Sequence, residues 1–316
     1  MQRISSPALS RRSLIAGSAA AFAGTALRPA SAEQLAAVFD APATAWKELR
    51  ILLGEDLYLP RDAGFGWKMQ VSNMRYMGDI PHAVAVCSSA EKAAAVIQWC
   101  AANSTPFRIK GGGHSYAGFS AGPYLILYTQ GMDRVSWEGT RITAGAGAIN
   151  YSVYAALAAK GRTMTHGRCP GVGLAGFALG GGIGFDMRRY GVASDQMVAA
   201  TAVLANGSQA VASASENPDL FWALRGGAGG NFALSTSFTF DTKEAADEAL
   251  LVFDMTWQRA TAEEMAELLR NMMQAFEADG SNLLGSRISV KYVQPANDLL
   301  AEKVFALNLA GQWAGT

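Results

Sequence analysis

The chain has 316 residues, half of them apolar and 16% charged, with no net charge. That length fits about two domains, and that apolar content supports a large core, which excludes a disordered chain. The lack of a basic excess excludes a chain that binds nucleic acid or anionic membrane by charge.

The first residues read as an export signal. Arg11-Arg12 form a twin-arginine pattern, small apolar residues follow, and Ala30-Ser31-Ala32 fits a cleavage site. Residues 1–32 are therefore expected to be a twin-arginine (Tat) signal peptide. The apolar stretch is too short and too alanine-rich for a stable membrane anchor. Residues 33–77 read as a helical lead-in broken by Pro42, Pro60 and the Gly64-Phe65-Gly66-Trp67 turn.

A strand is expected over 83–87. Ser88 or Ser89 then caps a helix running to 101. A short strand over 106–110 feeds the first glycine block, Lys110-Gly111-Gly112-Gly113-His114-Ser115-Tyr116. Such a backbone lies close against a flat or anionic group, and successive N–H groups make a nest for phosphate. Lys110 puts a positive side chain beside that nest.

Residues 124–128 read as an apolar strand, followed by a hairpin over 133–137 and 141–145. Asn150 is expected to cap a helix over 151–160. The second glycine block follows: Cys169-Pro170-Gly171-Val172-Gly173, then Gly176, Gly180, Gly181, Gly182 and Gly184. Gly171-x-Gly173-x-x-Gly176 matches the dinucleotide fingerprint only formally. No strand precedes it, so a nicotinamide site is rejected. Arg188-Arg189 and Asp186 read as a solvated face. A strand over 198–204, the Asn206-Gly207 turn, a strand over 209–211, a helix opened by Asn217-Pro218 and a strand over 232–240 complete this part. The third block, Arg225-Gly226-Gly227-Ala228-Gly229-Gly230-Asn231-Phe232, lies inside it.

Beyond 244, strands are expected over 250–257, 287–293 and 305–312, with helices over 265–277 and 296–303. Thr261-Ala262-Glu263-Glu264 is a capping box for the first of these helices. Of the three cysteines, Cys87 and Cys100 end apolar runs and read as buried free thiols. A disulfide between them is the alternative in an oxidising compartment. His82 and His166 have no partner pattern, and the histidines and cysteines lack metal-ligand spacing, so no metal is expected.

Taken in order, the three glycine blocks with His114 and Cys169 resemble the flavin domain of the vanillyl-alcohol oxidase / para-cresol methylhydroxylase (PCMH) superfamily. The nearest likeness is to its berberine-bridge-enzyme-like branch, which includes oligosaccharide oxidases. The resemblance implies an α+β fold: a two-subdomain PCMH-type FAD-binding domain over 78–244, followed by part of an antiparallel-sheet substrate domain over 245–316. It also implies FAD joined covalently to His114 and, in a subset of relatives, to Cys169, which otherwise is a small buried hydrophobe. Lys110, Gly111, Gly112, Gly113 and Ser115 would form one side of the cofactor cradle. Pro170, Val172, Gly173, Gly176, Gly181, Gly182 and Gly184 would form the other. Relatives often carry a glycine after the Asn-Phe pair, where this chain has Ala233. Tyr116 is either a residue of the flavin's substrate side or a core tyrosine. Val172 stands where relatives gate oxygen.

The implied activity is oxidation of a CH–OH or related C–H group by an exported enzyme, periplasmic or secreted, with a small-molecule substrate and oxygen as partners. The rivals are a flavin dehydrogenase and a non-catalytic binding protein. In the family the chain continues with more sheet and a return to the flavin domain that supplies the base. The present chain is expected to lack that part, and no catalytic base is assigned.

Overall fold

Local chemistry accounts for most of the elements. The computed structural model describes residues 43–245, 250–293 and 304–315. The expected signal over 1–32 and helix over 296–303 lie outside the described residues.

Helix α1 (Ala43–Leu53) buries Ala45, Leu49 and Leu53, one face at a spacing of four. Strand β1 (Leu57–Tyr58) and helix α2 (Phe65–Met69) follow. β2 (Ala83–Val86) is buried at every position. Helix α3 (Ala90–Ala102) starts where Ser89 Oγ accepts the Lys92 N–H at 3.2 Å, as the cap expectation required. Its Trp99 ring meets Trp46 of α1 with 5.4 Å between centroids.

β3 (Phe107–Lys110) and β4 (Leu125–Tyr128) complete the first sheet, in the order β1-β2-β4-β3. β2 and β3 flank β4 in parallel, and β1 adds to β2 antiparallel. The lead-in thus donates a strand to this sheet.

β5 (Val135–Glu138) and β6 (Arg141–Gly145) form the expected hairpin. Helix α4 (Asn150–Ala158) differs in one respect from expectation. Ile149 holds the cap position, and the Asn150 side chain turns away to donate to the Cys169 carbonyl at 3.1 Å. β7 (Arg162–Thr163), α5 (Leu174–Leu179) and α6 (Met187–Tyr190) come next. β8 (Met197–Val203) and β9 (Gln209–Ser213) pair across the Asn206-Gly207 turn. Helix α7 (Pro218–Leu224) begins with proline in its first turn, and β10 (Leu234–Asp241) follows.

These strands make a five-stranded antiparallel sheet, β5-β6-β10-β8-β9. Its central strand carries Phe238 and Phe240, both fully buried with Ile142, Leu157, Met164 and Leu174. β11 (Lys243–Glu244) pairs with β7.

The last layer is β12 (Leu250–Ala260), helix α8 (Ala262–Ala278), β13 (Leu284–Val293) and β14 (Val304–Ala314). Its sheet order is β12-β14-β13, and Met265 and Met272 of α8 pack on Leu307 and Leu309. The capping box is present: Thr261 Oγ1 accepts from Glu264 N at 3.2 Å and Glu264 Oε2 accepts from Thr261 N at 2.9 Å. Asp186 and Arg188 are corrected from a solvated face to a clamp on this layer. Gln312 Nε2 donates to Asp186 Oδ1 at 2.9 Å. The Arg188 guanidinium donates to the Asp279 carboxylate at 3.0 Å and the Leu284 carbonyl at 3.2 Å. A charge pair adjacent in sequence reads as exposed only until a later segment covers it.

Candidate functional site

The site is built where two glycine segments touch. β3 delivers its last residue, Lys110, to the sheet edge, and the chain turns through Gly111-Gly112-Gly113. A Cβ on Gly112 would lie 2.3 Å from the Gly173 nitrogen, and one on Gly173 would lie 2.3 Å from the Gly112 nitrogen. Only glycine at both positions allows this approach. Gly113 has φ +72°, the left-handed region, and turns the chain so that His114 emerges exposed. A Cβ on Gly171 would lie 3.8 Å from His114 Nε2, so the histidine stands against the turn that carries Cys169.

Cys169 is exposed, not a buried hydrophobe. Its turn is held from behind by the start of α4. Asn150 N donates to the Val172 carbonyl at 2.9 Å and Tyr151 N to the Pro170 carbonyl at 3.0 Å. Two of the donors a helix start leaves without intrahelical partners are thereby satisfied. Burial raises the Tyr154 phenol above its usual range, and the neighbouring Cys169 adds to that rise. The Tyr154 ring also meets His166, with 5.0 Å between centroids.

A cavity of 580 Å³ opens at this junction, within the range of about 300–1,000 Å³ usual for ligand sites. One wall is Gly111, Gly112, Gly113, His114 and Ser115. The second is Val172, Gly173, Ala175, Gly176 and Phe177. The third is Ala228, Gly229, Gly230 and Asn231. The walls are mostly backbone and apolar carbon, which suits a large flat group. Ser120 and Ser235 also face the cavity, and their hydroxyls are buried with no protein partner among the described residues. Buried hydroxyls left unpaired are costly, so a polar ligand fits here.

Among the expected residues, eight line this cavity: Gly111, Gly112, Gly113, His114, Ser115, Val172, Gly173 and Gly176. Others do not. Lys110 is 2% exposed and its ammonium donates to the carbonyls of Lys68 at 2.7 Å and Gln70 at 2.6 Å. It therefore faces the lead-in, away from the nest it was expected to serve. Gly182 packs on Ala193 and the Phe177 ring, Gly184 on the His166 carbonyl, and Gly181 beside them is outside the lining. Tyr116 is 93% exposed, which overturns the core-tyrosine alternative. Cys169 and Pro170 sit at the neighbouring turn, outside the lining itself. Sequence reasoning missed Ala228, Gly229, Gly230 and Asn231 as cavity residues, although their glycine run was a visible signal. Ser120 and Ser235 carried none, being single serines without a pattern.

Burial pushes the thiols of Cys87 and Cys100 up to about 12, and both are buried and free. They take no part in the site. Among the described residues no cluster of metal-ligating side chains and no helix long and apolar enough to cross a membrane occurs.

Three glycine-bearing walls, an exposed histidine in the lining and an exposed cysteine on the neighbouring turn define a backbone-cradled cofactor site. Residues 81–213 match the family described as FAD binding domain. Glucooligosaccharide oxidase from Sarocladium strictum is 37% identical over 217 residues, 66% of this chain and 43% of that protein. 6-hydroxy-D-nicotine oxidase from Arthrobacter nicotinovorans superposes with a TM-score of 0.72 at 28% identity, covering 82% of this chain and 55% of that one. Glucooligosaccharide oxidase from Acremonium strictum superposes with a TM-score of 0.70 at 30% identity, covering 84% of this chain and 54% of that one. That structure is described as carrying a 6-S-cysteinyl, 8α-N1-histidyl FAD. The chain spans about half the length of these relatives.

Proposed function

We propose that this chain is the flavin-holding part of an exported FAD-dependent oxidase. In this reading FAD is attached at His114 and Cys169, and the substrate is a small-molecule alcohol, a sugar first among them. The observation that carries the reading is the contact of Gly112 with Gly173, which sets His114 beside the cysteine turn at the mouth of one cavity. FAD, when bound, takes two electrons from a C–H donor and passes them to an acceptor.

The chain's own residues bind and orient it. The backbone of Gly111–Gly113 and Gly173–Gly176 lies against the cofactor, and the Ser120 and Ser235 hydroxyls offer it hydrogen bonds. Lys110 takes no part in holding the pyrophosphate. Val172 lines the cavity beside the cysteine turn, and its small side chain supports oxygen as the acceptor, with hydrogen peroxide as product. Tyr116 keeps the substrate-side role, exposed two residues beyond His114. The domain reading that goes with this is 78–244 for the flavin and 245–316 for part of the substrate layer, with twin-arginine export directed by 1–32.

Acid precipitation tests the attachment. Flavin should stay with the denatured polypeptide, His114→Ala and Cys169→Ala should each keep one link, and the double variant should keep none. Release of all flavin from the wild-type protein sinks the reading. Slow reoxidation of the reduced protein in air, with fast reaction towards a quinone, would make it a dehydrogenase.

A further inference from the structure

We propose that the two attachment side chains are positioned separately, His114 by Lys110 and Cys169 by Asn150. This rests on the double-attachment reading above. Neither Lys110 nor Asn150 lines the cavity, yet both are buried polar side chains: Asn150 bonds the turn that carries Cys169, and Lys110 bonds the lead-in against which the turn that carries His114 is held.

Lys110 sits at the end of β3 with its ammonium 4.5 Å from the Tyr128 ring centroid. Its two carbonyl acceptors, on Lys68 and Gln70, belong to the lead-in. The same segment grips the residue before the histidine, because Ser72 N donates to the Gly113 carbonyl at 3.0 Å. Gly113 also lies on the lysine stem, since a Cβ there would sit 3.0 Å from Lys110 Cε and 3.3 Å from the Gln70 carbonyl. The turn that presents His114 is thus held between the lysine and residues 70–72. A buried ammonium is costly unless it is bonded, and here its bonds serve to fix that turn.

Asn150 is 1% exposed. Its Nδ2 donates to the carbonyl of Cys169 itself at 3.1 Å. A Cβ on Gly167 would lie 2.1 Å from that same Nδ2, so the amide is wedged between residues 167 and 169. Its Oδ1 is buried with no partner among the described residues. The amide therefore forgoes one hydrogen bond and keeps the one that orients the cysteine turn. The two devices share no residue.

Each attachment replaces a C–H of the cofactor by C–N or C–S. The side chain gives up its N–H or S–H hydrogen, and the two hydrogens leave as protons and two electrons that dioxygen accepts as hydrogen peroxide. Positioning sets how often the nitrogen or sulfur lies in reach for that replacement.

The test is peptide mapping of the full chain by mass spectrometry, counting flavin on the His114 peptide and on the Cys169 peptide. Lys110→Met should lower occupancy at His114 by about tenfold relative to Cys169, the scale of losing a charge-assisted hydrogen bond. Asn150→Ala should do the reverse. Each variant is the other's control, since a merely structural role would lower both links together. If these variants fold poorly, Lys110→Gln and Asn150→Ser, which keep a donor on a shorter side chain, should show the same split in milder form. Equal loss at both peptides, or no loss at either, overturns the separate positioning while leaving double attachment standing. Wild-type protein lacking flavin on either peptide overturns both.

Discussion

β2 and β12 are both apolar strands, Ala-Val-Ala-Val in one and a run beginning Leu-Leu-Val-Phe in the other, yet their surroundings are opposite. β2 is buried at all its positions, whereas β12 is exposed along nearly its whole length, with Leu251 at 62% and Val252 at 71%. β2 lies between two strands of its sheet, with Phe65 of α2 packed against its Val84. β12 is an edge strand with one neighbour, and α8 packs on one face of its sheet. Apolar composition says that a strand is able to be buried. The layers around it decide whether it is.

The comparison is broken most severely in the core of the five-stranded sheet. Phe238→Ala removes a fully buried ring and should cost about 3–5 kcal/mol by denaturant unfolding. In the last layer Leu307→Ala should cost about 2–4 kcal/mol, because Leu307 is as fully buried under α8. A Leu307→Ala cost larger than that of Phe238→Ala would show that the last layer is the better-packed of the two.

Alkaline pH separates the regions chemically. Cys87 and Cys100 lie in the first layer, and no cysteine lies beyond Cys169. Burial raises both thiols from 9.0 to about 12. A folded value above the unfolded one means that the stabilisation is fully present below pH 9.0. It is lost as pH rises towards about 12, because the unfolded thiols ionise and the folded ones do not. The loss should approach about 1.4 kcal/mol per pH unit for each thiol. Urea midpoints measured above pH 9.0 should therefore fall less steeply in Cys87→Ala/Cys100→Ala than in the wild type. Equal slopes would mean that these thiols are not desolvated.

Two smaller changes sharpen the last layer. Thr261→Ala removes the capping box of α8 and should cost about 1 kcal/mol, visible as a shift of the thermal midpoint. Val252→Thr, on the exposed strand, should stay within about 0.5 kcal/mol of wild type. A larger loss there would reveal that this residue is covered in solution by something that the described residues do not include.

What the sequence by itself determined was local. Ser89, Asn217-Pro218 and Thr261 mark helix starts, and Asn206-Gly207 marks a hairpin, because each feature acts on backbone groups within a few residues: Ser89, Thr261 and Asn206 accept nearby N–H groups, and Pro218 lacks the N–H that a first turn leaves without a partner. The glycine blocks were legible for the same reason, since a run of glycine has few uses other than close approach. Tertiary structure alone decided the rest. It inserted β10 between β6 and β8, brought the third glycine block to the cavity and covered Asp186 and Arg188 with the last layer. It also turned Lys110 towards the lead-in and Asn150 towards Cys169. A buried charge or amide takes whichever carbonyls the fold leaves in reach, and those carbonyls lie far along the chain. No spacing rule encodes them, because the free energy that selects them is gained only when distant segments have already packed.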